Sequence, residues 1–299
     1  MAKAGLLSFM KGLEDKYQGL LKILQRYGGM IIAYSGGVDS TFLAHAAQRA
    51  LGDHALAVTI ASELNPANET EQAIAYGREL GIHHRVIEVD LLSVPEVAAN
   101  PPDRCYHCKH KLFRLIQSIA HEMGLAWVAD GSNLDDLAQY RPGARALKEL
   151  GIISPLQEAG FTKQEIRELS KKLSLPAWDR PSQACLASRI TYGTKLEASL
   201  LQRIAKIEED LRKMGFGQVR LRHHGELARL ELQPLALAQV EEKRQEIVGL
   251  IKNFGYKYVC LDLEGYRFGS MDSLYRDTEL SFLIKLNVFT LHRNVIMPG

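Results

Sequence analysis

Three groups of residues have types and spacings that can do chemistry. The first is Tyr34-Ser35-Gly36-Gly37-Val38-Asp39-Ser40-Thr41. Two adjacent glycines let a chain turn sharply and bring its backbone against a ligand. The amides that follow, from Gly36, Gly37 and Val38 onward, open a helix, where free N–H groups and the helix dipole favour an anion. Ser35, Ser40 and Thr41 add hydroxyl donors. Asp39 alone would repel phosphate, so its expected task is to hold Mg2+. There is no GxxxxGK[ST] pattern and so no loop lysine to reach a terminal phosphate. A polar turn capping a helix is the plain alternative, and the full SGGVDS string makes it the weaker one.

The second and third groups are cysteines. Arg104-Cys105-Tyr106-His107-Cys108-Lys109 is a CxxC pair at the start of a helix, and Cys185 lies in Pro181-Ser-Gln-Ala-Cys-Leu-Ala-Ser-Arg189. A helix start with Arg104 and Lys109 beside it is expected to lower thiol pKa values. CxxC occurs in zinc, iron–sulfur and redox sites, and zinc asks for four ligands. Three thiolates suit a 4Fe-4S cluster with one open iron. A redox pair with an unrelated Cys185 fits the residues equally well. Cys260, in the apolar run Tyr258-Val-Cys-Leu261, reads as core packing.

The elements that must position these groups alternate. Strands are expected at 30–34, 55–60, 85–89, 125–129 and 151–155, with helices at 40–51, 65–80, 105–123 and from Thr162, where Thr162-Lys-Gln-Glu165 is a capping box. Alternation of this kind predicts an α/β fold, a parallel sheet with helices on both faces. Ligands then bind beyond the carboxyl ends of the strands, where the motifs fall. Trp127, within the fourth strand, is expected in the core. A loop with two prolines around 174–194 breaks the pattern. Beyond it come a helix at 196–214, strands at 219–222 and 227–232, a helix at 234–254 and a strand at 256–263. The expected domains are 1–190 and a smaller α+β domain, 191–299, for substrate and oligomerisation.

The chain has 299 residues, 46% hydrophobic and 24% charged, with a formal net charge of +2. That is an ordinary globular balance, long enough for a sizeable core. The charge does not point to a nucleic-acid partner. No apolar run reaches bilayer length, and the N-terminus reads as an amphipathic helix, so a cytoplasmic protein with no membrane partner is expected.

The loop resembles that of the PP-loop ATP pyrophosphatases, which release pyrophosphate and leave an adenylate on the substrate. That resemblance implies adenosine binding at Thr59–Pro66, including Ser62. It also places the superfamily's GTNxDD segment at Asp130-Gly131-Ser-Asn-Leu-Asp135-Asp136. SGGVDS, PPDRCYHCK, DGSNLDD, YRPGARALKELGIISPL, PSQACLASRI and LDLEGYRFGSM together resemble the LarE family of ATP-dependent sulfur transferases over nearly the whole chain.

The resemblance implies a homo-oligomeric enzyme that uses ATP and Mg2+ to adenylate a carboxylate of pyridinium-3,5-biscarboxylic acid mononucleotide. A sulfide source then supplies the sulfur that turns the carboxylate into a thiocarboxylate. One type in the family consumes a cysteine at the position of Cys185 and lacks the CxxC pair. The other has three cysteines, which implies here a 4Fe-4S cluster on Cys105, Cys108 and Cys185. Lys109 is expected to contact phosphate or tune the thiolates. Arg220 and Arg222, two apart on a strand, share a face and are expected to bind the substrate phosphate, with Ser188 and Arg189 as further candidates. Glu231 is a candidate metal ligand. The rivals are a tRNA thiolase, an amide-forming ligase of the NAD or GMP synthetase kind, and a non-enzymatic ATP sensor. None of these explains the ATP loop, the three cysteines and the low charge together.

Overall fold

The structure, a computed structural model, describes residues 2–138, 142–180, 184–267 and 269–271. The chain runs α1 (Ala2–Tyr27), β1 (Met30–Ala33), α2 (Val38–Leu51), β2 (Ala55–Ala61), α3 (Ala67–Glu79), β3 (His84–Glu88), α4 (Pro95–Ala98), α5 (Arg104–Glu122), β4 (Trp127–Ala129), α6 (Pro142–Glu149), α7 (Pro155–Glu158) and α8 (Lys163–Lys172). It continues with α9 (Ala198–Lys213), β5 (Val219–His224), β6 (Leu227–Leu232), α10 (Leu237–Glu242), α11 (Arg244–Asn253) and β7 (Tyr258–Leu261). Two compact units result, Met1–Leu186 with Lys195–Leu201, and Ala187–Thr194 with Gln202–Gly299. No described helix is long and apolar enough to cross a membrane.

In the first unit four strands, all parallel, lie in the order β3-β2-β1-β4. Successive side chains of a strand face opposite sides. Ile32 therefore packs with Leu20, Leu24, Phe42 and Leu169 of α1, α2 and α8, while Ile31 packs with Val58, Val128, Phe113 and Ile116 on the side of α5. Both faces are covered, as the alternation predicts. The capping box is formed: Glu165 N donates to Thr162 Oγ1 and Thr162 N donates to Glu165 Oε2. In the second unit β5 and β6 pair antiparallel and β6 and β7 parallel.

Several expectations are corrected. The strand at 151–155 is a single bridge, Ala129 to Ile153, because Pro155 starts α7 two residues later without an N–H to give. Trp127 is 39% exposed, at the first position of an edge strand, with its ring edge-on to Tyr27. The helix at 234–254 is broken at Lys243, whose ammonium donates to the carbonyl of Met214. Cys260 is half-buried on the edge strand β7, outside any sealed core.

Behind β1 and β2, Thr59 Oγ1 donates to the carbonyl of Tyr34 at 2.6 Å, and lies 2.7 Å from His84 Nε2. Thr59 has one hydroxyl proton, so His84 must be the donor in the second bond and carries its proton on Nε2. Burial holds the His84 pKa below its ordinary value, and burial does the same to His45 and His223. The sign follows. Below about pH 6.5 the unfolded chain binds protons that these neutral rings refuse. Stability is therefore full above that pH and falls as pH drops through it toward the lower folded pKa values. Urea midpoints should decrease between pH 7 and pH 5, less steeply in His84→Gln. A midpoint flat over that range would refute the assignment.

Candidate functional site

The loop after β1 is shaped by two close backbone contacts. Gly36 has φ +71°, and a Cβ there would lie 3.0 Å from Cα of Ala73. A Cβ on Gly131, in the turn after β4, would lie 3.1 Å from the backbone N of Ser40. Ser40 Oγ accepts from Ser35 N, donates to the carbonyl of Gly37 and lies 3.1 Å from Ser35 Oγ. Thr41 and Val38 are buried. The expected hydroxyl donors Ser40 and Thr41 are thus turned inward, Ser40 as an internal brace. Ser35 and Asp39 reach the surface, with the backbone amides between them.

Asp39 is bonded by Lys163 from the first turn of α8, and Asn133 Nδ2 donates to its other oxygen at 3.4 Å. Burial, with the Asp136 charge nearby, pushes the Asp39 carboxyl up against the pull of Lys163. Asp135 and Asp136 work as turn caps, accepting from the backbone N of Lys163 and of Asn133. Ser62 Oγ donates to Asn65 Oδ1, fixing the turn that ends β2. A cleft lined by Tyr34, Ser35, Thr59, Asn65, Glu69 and Phe113 opens beyond the carboxyl ends of β1 and β2.

Cys105 and Cys108 lie in the first turns of α5, and each feels the charge of Cys185. Residues 77 apart in sequence are therefore brought together. The expected lowering of the thiol pKa values is overturned. Burial, then the neighbouring sulfurs, pushes Cys105 up and Cys108 up to about 12, against the opposing pull of Arg104 and Lys109. Arg104 is buried, bonded to Asn100 Oδ1, with Nη2 3.9 Å from Cys105 Sγ. Asn100 sits at φ 55°, a left-handed conformation that asparagine tolerates. The Lys109 stem crosses Gly143 of α6, where a Cβ would meet its Cδ at 2.6 Å. Among the described residues no three His, Cys, Asp or Glu side chains close round a single metal ion.

In the second unit the expected arginines are not surface groups. Arg220 and Arg222 are 2% and 4% exposed and Arg189 is fully buried. Arg189 is forked on Glu208, at 2.9 and 3.0 Å. Arg222 bonds Glu231 at 2.6 Å and the Ser188 carbonyl at 2.9 Å. Arg220 donates to the Val219 carbonyl and stacks over Tyr266. Glu231 accepts from Arg222 and Ser270 and pairs with Arg229, so its oxygens serve an ion-pair network. Burial would raise Glu208, yet Arg189 and Arg220 hold it below the usual carboxylate range.

Sequence reasoning missed Lys163, Glu208 and Arg180, whose Nη1 donates to the Gly36 carbonyl at 3.5 Å. Lys163 had one legible sign, its place just after the Thr162 cap. Glu208 had none, since a glutamate on an amphipathic helix reads as solvated. Its removal should be costly, because a buried guanidinium and the N–H of Leu221, 3.0 Å from Glu208 Oε1, would lose their acceptor. Glu208→Ala should cost roughly 3–5 kcal/mol in denaturant unfolding. The double change Arg189→Met with Glu208→Leu should recover most of that. A single change costing under about 1 kcal/mol would show the pair to be dispensable.

Residues 14–100 match the family model for NAD synthase. The chain is 42% identical over 262 residues to an uncharacterised protein of Synechocystis, covering 87% of this chain and 98% of that one. It is 35% identical over 273 residues to the pyridinium-3,5-bisthiocarboxylic acid mononucleotide synthase of Lactiplantibacillus plantarum, covering 91% of this chain and 99% of the relative. The GMP synthase of Aeropyrum pernix is 26% identical over 170 residues, half of this chain. The family model spans the nucleotide loop, whereas the synthase match takes in 91% of this chain. The chain belongs to the LarE family, that of the pyridinium-3,5-bisthiocarboxylic acid mononucleotide synthases.

Proposed function

We propose that the protein activates a carboxylate of pyridinium-3,5-biscarboxylic acid mononucleotide with ATP and converts it to a thiocarboxylate. The carboxylate oxygen attacks the α-phosphorus, the bond to the β-phosphate breaks, and pyrophosphate leaves with the electron pair. A sulfide then attacks the acyl carbon and AMP departs. A carboxylate is a poor electrophile and its adenylate a good one, which is why ATP is spent. The amides from Gly36 onward would face the phosphates, and Asp39, in place of its bond from Lys163, would hold Mg2+, which would neutralise the departing charge. Ser62 and Gly131 frame the nucleotide from the ends of β2 and β4. Asp136 holds the turn behind Asp39. Arg220 and Arg222, buried among the ion pairs of the second unit, would give up contacts there to bind the substrate phosphate. Arg189 and Ser188 act behind them as support.

We also propose that Cys105, Cys108 and Cys185 hold a 4Fe-4S cluster. The observation that supports this reading is that Cys105 and Cys108 on α5 each feel the charge of Cys185, from a distant segment. The three thiolates would hold such a cluster, and the cluster would supply exogenous sulfide to the adenylate. Lys109 keeps a cation beside the thiolates.

Protein purified without oxygen should contain about four irons per chain, with acid-labile sulfide and broad visible absorption, all lost in Cys105→Ala. With ATP and the biscarboxylic acid nucleotide, pyrophosphate should appear, followed by repeated sulfur transfer while sulfide lasts. A protein still colourless and iron-free after anaerobic reconstitution would sink the cluster. If it then ran a single turnover and lost 34 Da at Cys185, that cysteine would be the consumed donor.

A further inference from the structure

A second cation stands at the nucleotide loop. Arg180 Nη1 donates to the carbonyl of Gly36 at 3.5 Å, the only side-chain hydrogen bond of Arg180 among the described residues. A guanidinium carries five N–H donors and a permanent charge. One long bond to a neutral carbonyl leaves most of that capacity unused. The main chain behind it is fixed: Arg167 donates to the carbonyls of Trp178 and Arg180 at 2.8 and 2.7 Å. The Arg180 charge is felt at Tyr34, the residue that leads into the loop. Lys163 and Arg180 thus bracket the loop, one on Asp39 and one on Gly36, each resting on a group of the loop itself.

We propose that Arg180 is a phosphate-binding residue whose guanidinium leaves the Gly36 carbonyl for the β- and γ-phosphate oxygens of ATP and stabilises pyrophosphate as it departs. The inference rests on the ATP reading above and goes beyond it in naming the residue that takes the leaving group. When the bond between α- and β-phosphates breaks, the electron pair stays on pyrophosphate, so negative charge grows there. A pre-placed cation acts most strongly where charge develops. Arginine's planar fork suits two phosphate oxygens. A resting partner as weak as a single carbonyl costs little to leave.

The test measures binding of ATP, pyrophosphate and AMP, with Mg2+, to wild type, Arg180→Met and Arg180→Lys. Methionine keeps much of the stem and removes the charge. Arg180→Met should bind ATP and pyrophosphate roughly ten- to a hundredfold more weakly and AMP as wild type does. Arg180→Lys should fall between. ATP binding unchanged in Arg180→Met would overturn the proposal, and so would an equal loss for ATP and AMP, which would mean a damaged loop. A wild type that bound ATP no better than AMP, and released no pyrophosphate, would overturn the ATP reading instead. That failure shows in the unmutated protein and so is told apart from the other two.

Discussion

The site in the first unit depends on backbone meeting backbone at Gly36. The residue is at positive φ, and Ala73 of α3 leaves no room for a Cβ. Ala73 and Gly77 are four apart, on one face of α3, and the same small face lets His84 approach Gly77, where a Cβ would stand 3.1 Å from its Nδ1. Gly131 closes in on Ser40 from the other side. Three segments therefore meet round the loop with almost no hydrocarbon between them. What they enclose is a set of amide donors at the start of α2, the form an anion site takes in an open parallel sheet. Substitution at Gly36 would both strain the turn and push α3 off it.

Charge is handled in two different ways in the two units. Arg189 and Glu208 have no exposed side-chain surface, and their fork is part of how the second unit folds. Lys163 and Asp39 keep 30% and 22% of their side-chain surface. Water can solvate them as they part, so exchange for a metal and a phosphate is cheap. Breaking the buried pair would strand a charge in a low-dielectric interior. The same residue types thus serve as fixed struts in one place and as exchangeable counter-ions in another, and burial decides which.

That distinction explains what the sequence reveals and what it withholds. The sheet, its covering helices and the capping box at Thr162 follow from local periodicity and local hydrogen bonding, and they are legible. SGGVDS and the cysteine segments are legible because their chemistry needs particular residues at particular spacings. Arg220 and Arg222 were found by their shared strand face, but the sequence could not say whether that face meets water or Glu231. Lys163 and Arg180 reach the loop only because the chain returns to it 124 and 144 residues away from Asp39 and Gly36. Contacts of that separation leave no periodic mark. The thiol pKa values fail for the same reason: helix start and neighbouring cations are visible locally, whereas burial and the approach of Cys185 are not.

In the proposed reaction an acyl-adenylate is made in one step and must meet sulfur before it meets water. The chain's answer is to carry both tasks on one segment. Arg180 touches the nucleotide loop, and Leu186 N donates to the carbonyl of Leu64 at 2.8 Å, in the turn between Ser62 and Asn65 that ends β2. Cys185 directly precedes that second anchor. Cys185 is therefore one residue from a bond to the turn after β2 and five from the side chain that meets the Gly36 carbonyl. In the proposed reaction that closeness in sequence would keep the sulfur near an adenylate formed beyond β1 and β2, the proximity that lets a nucleophile outrun bulk water.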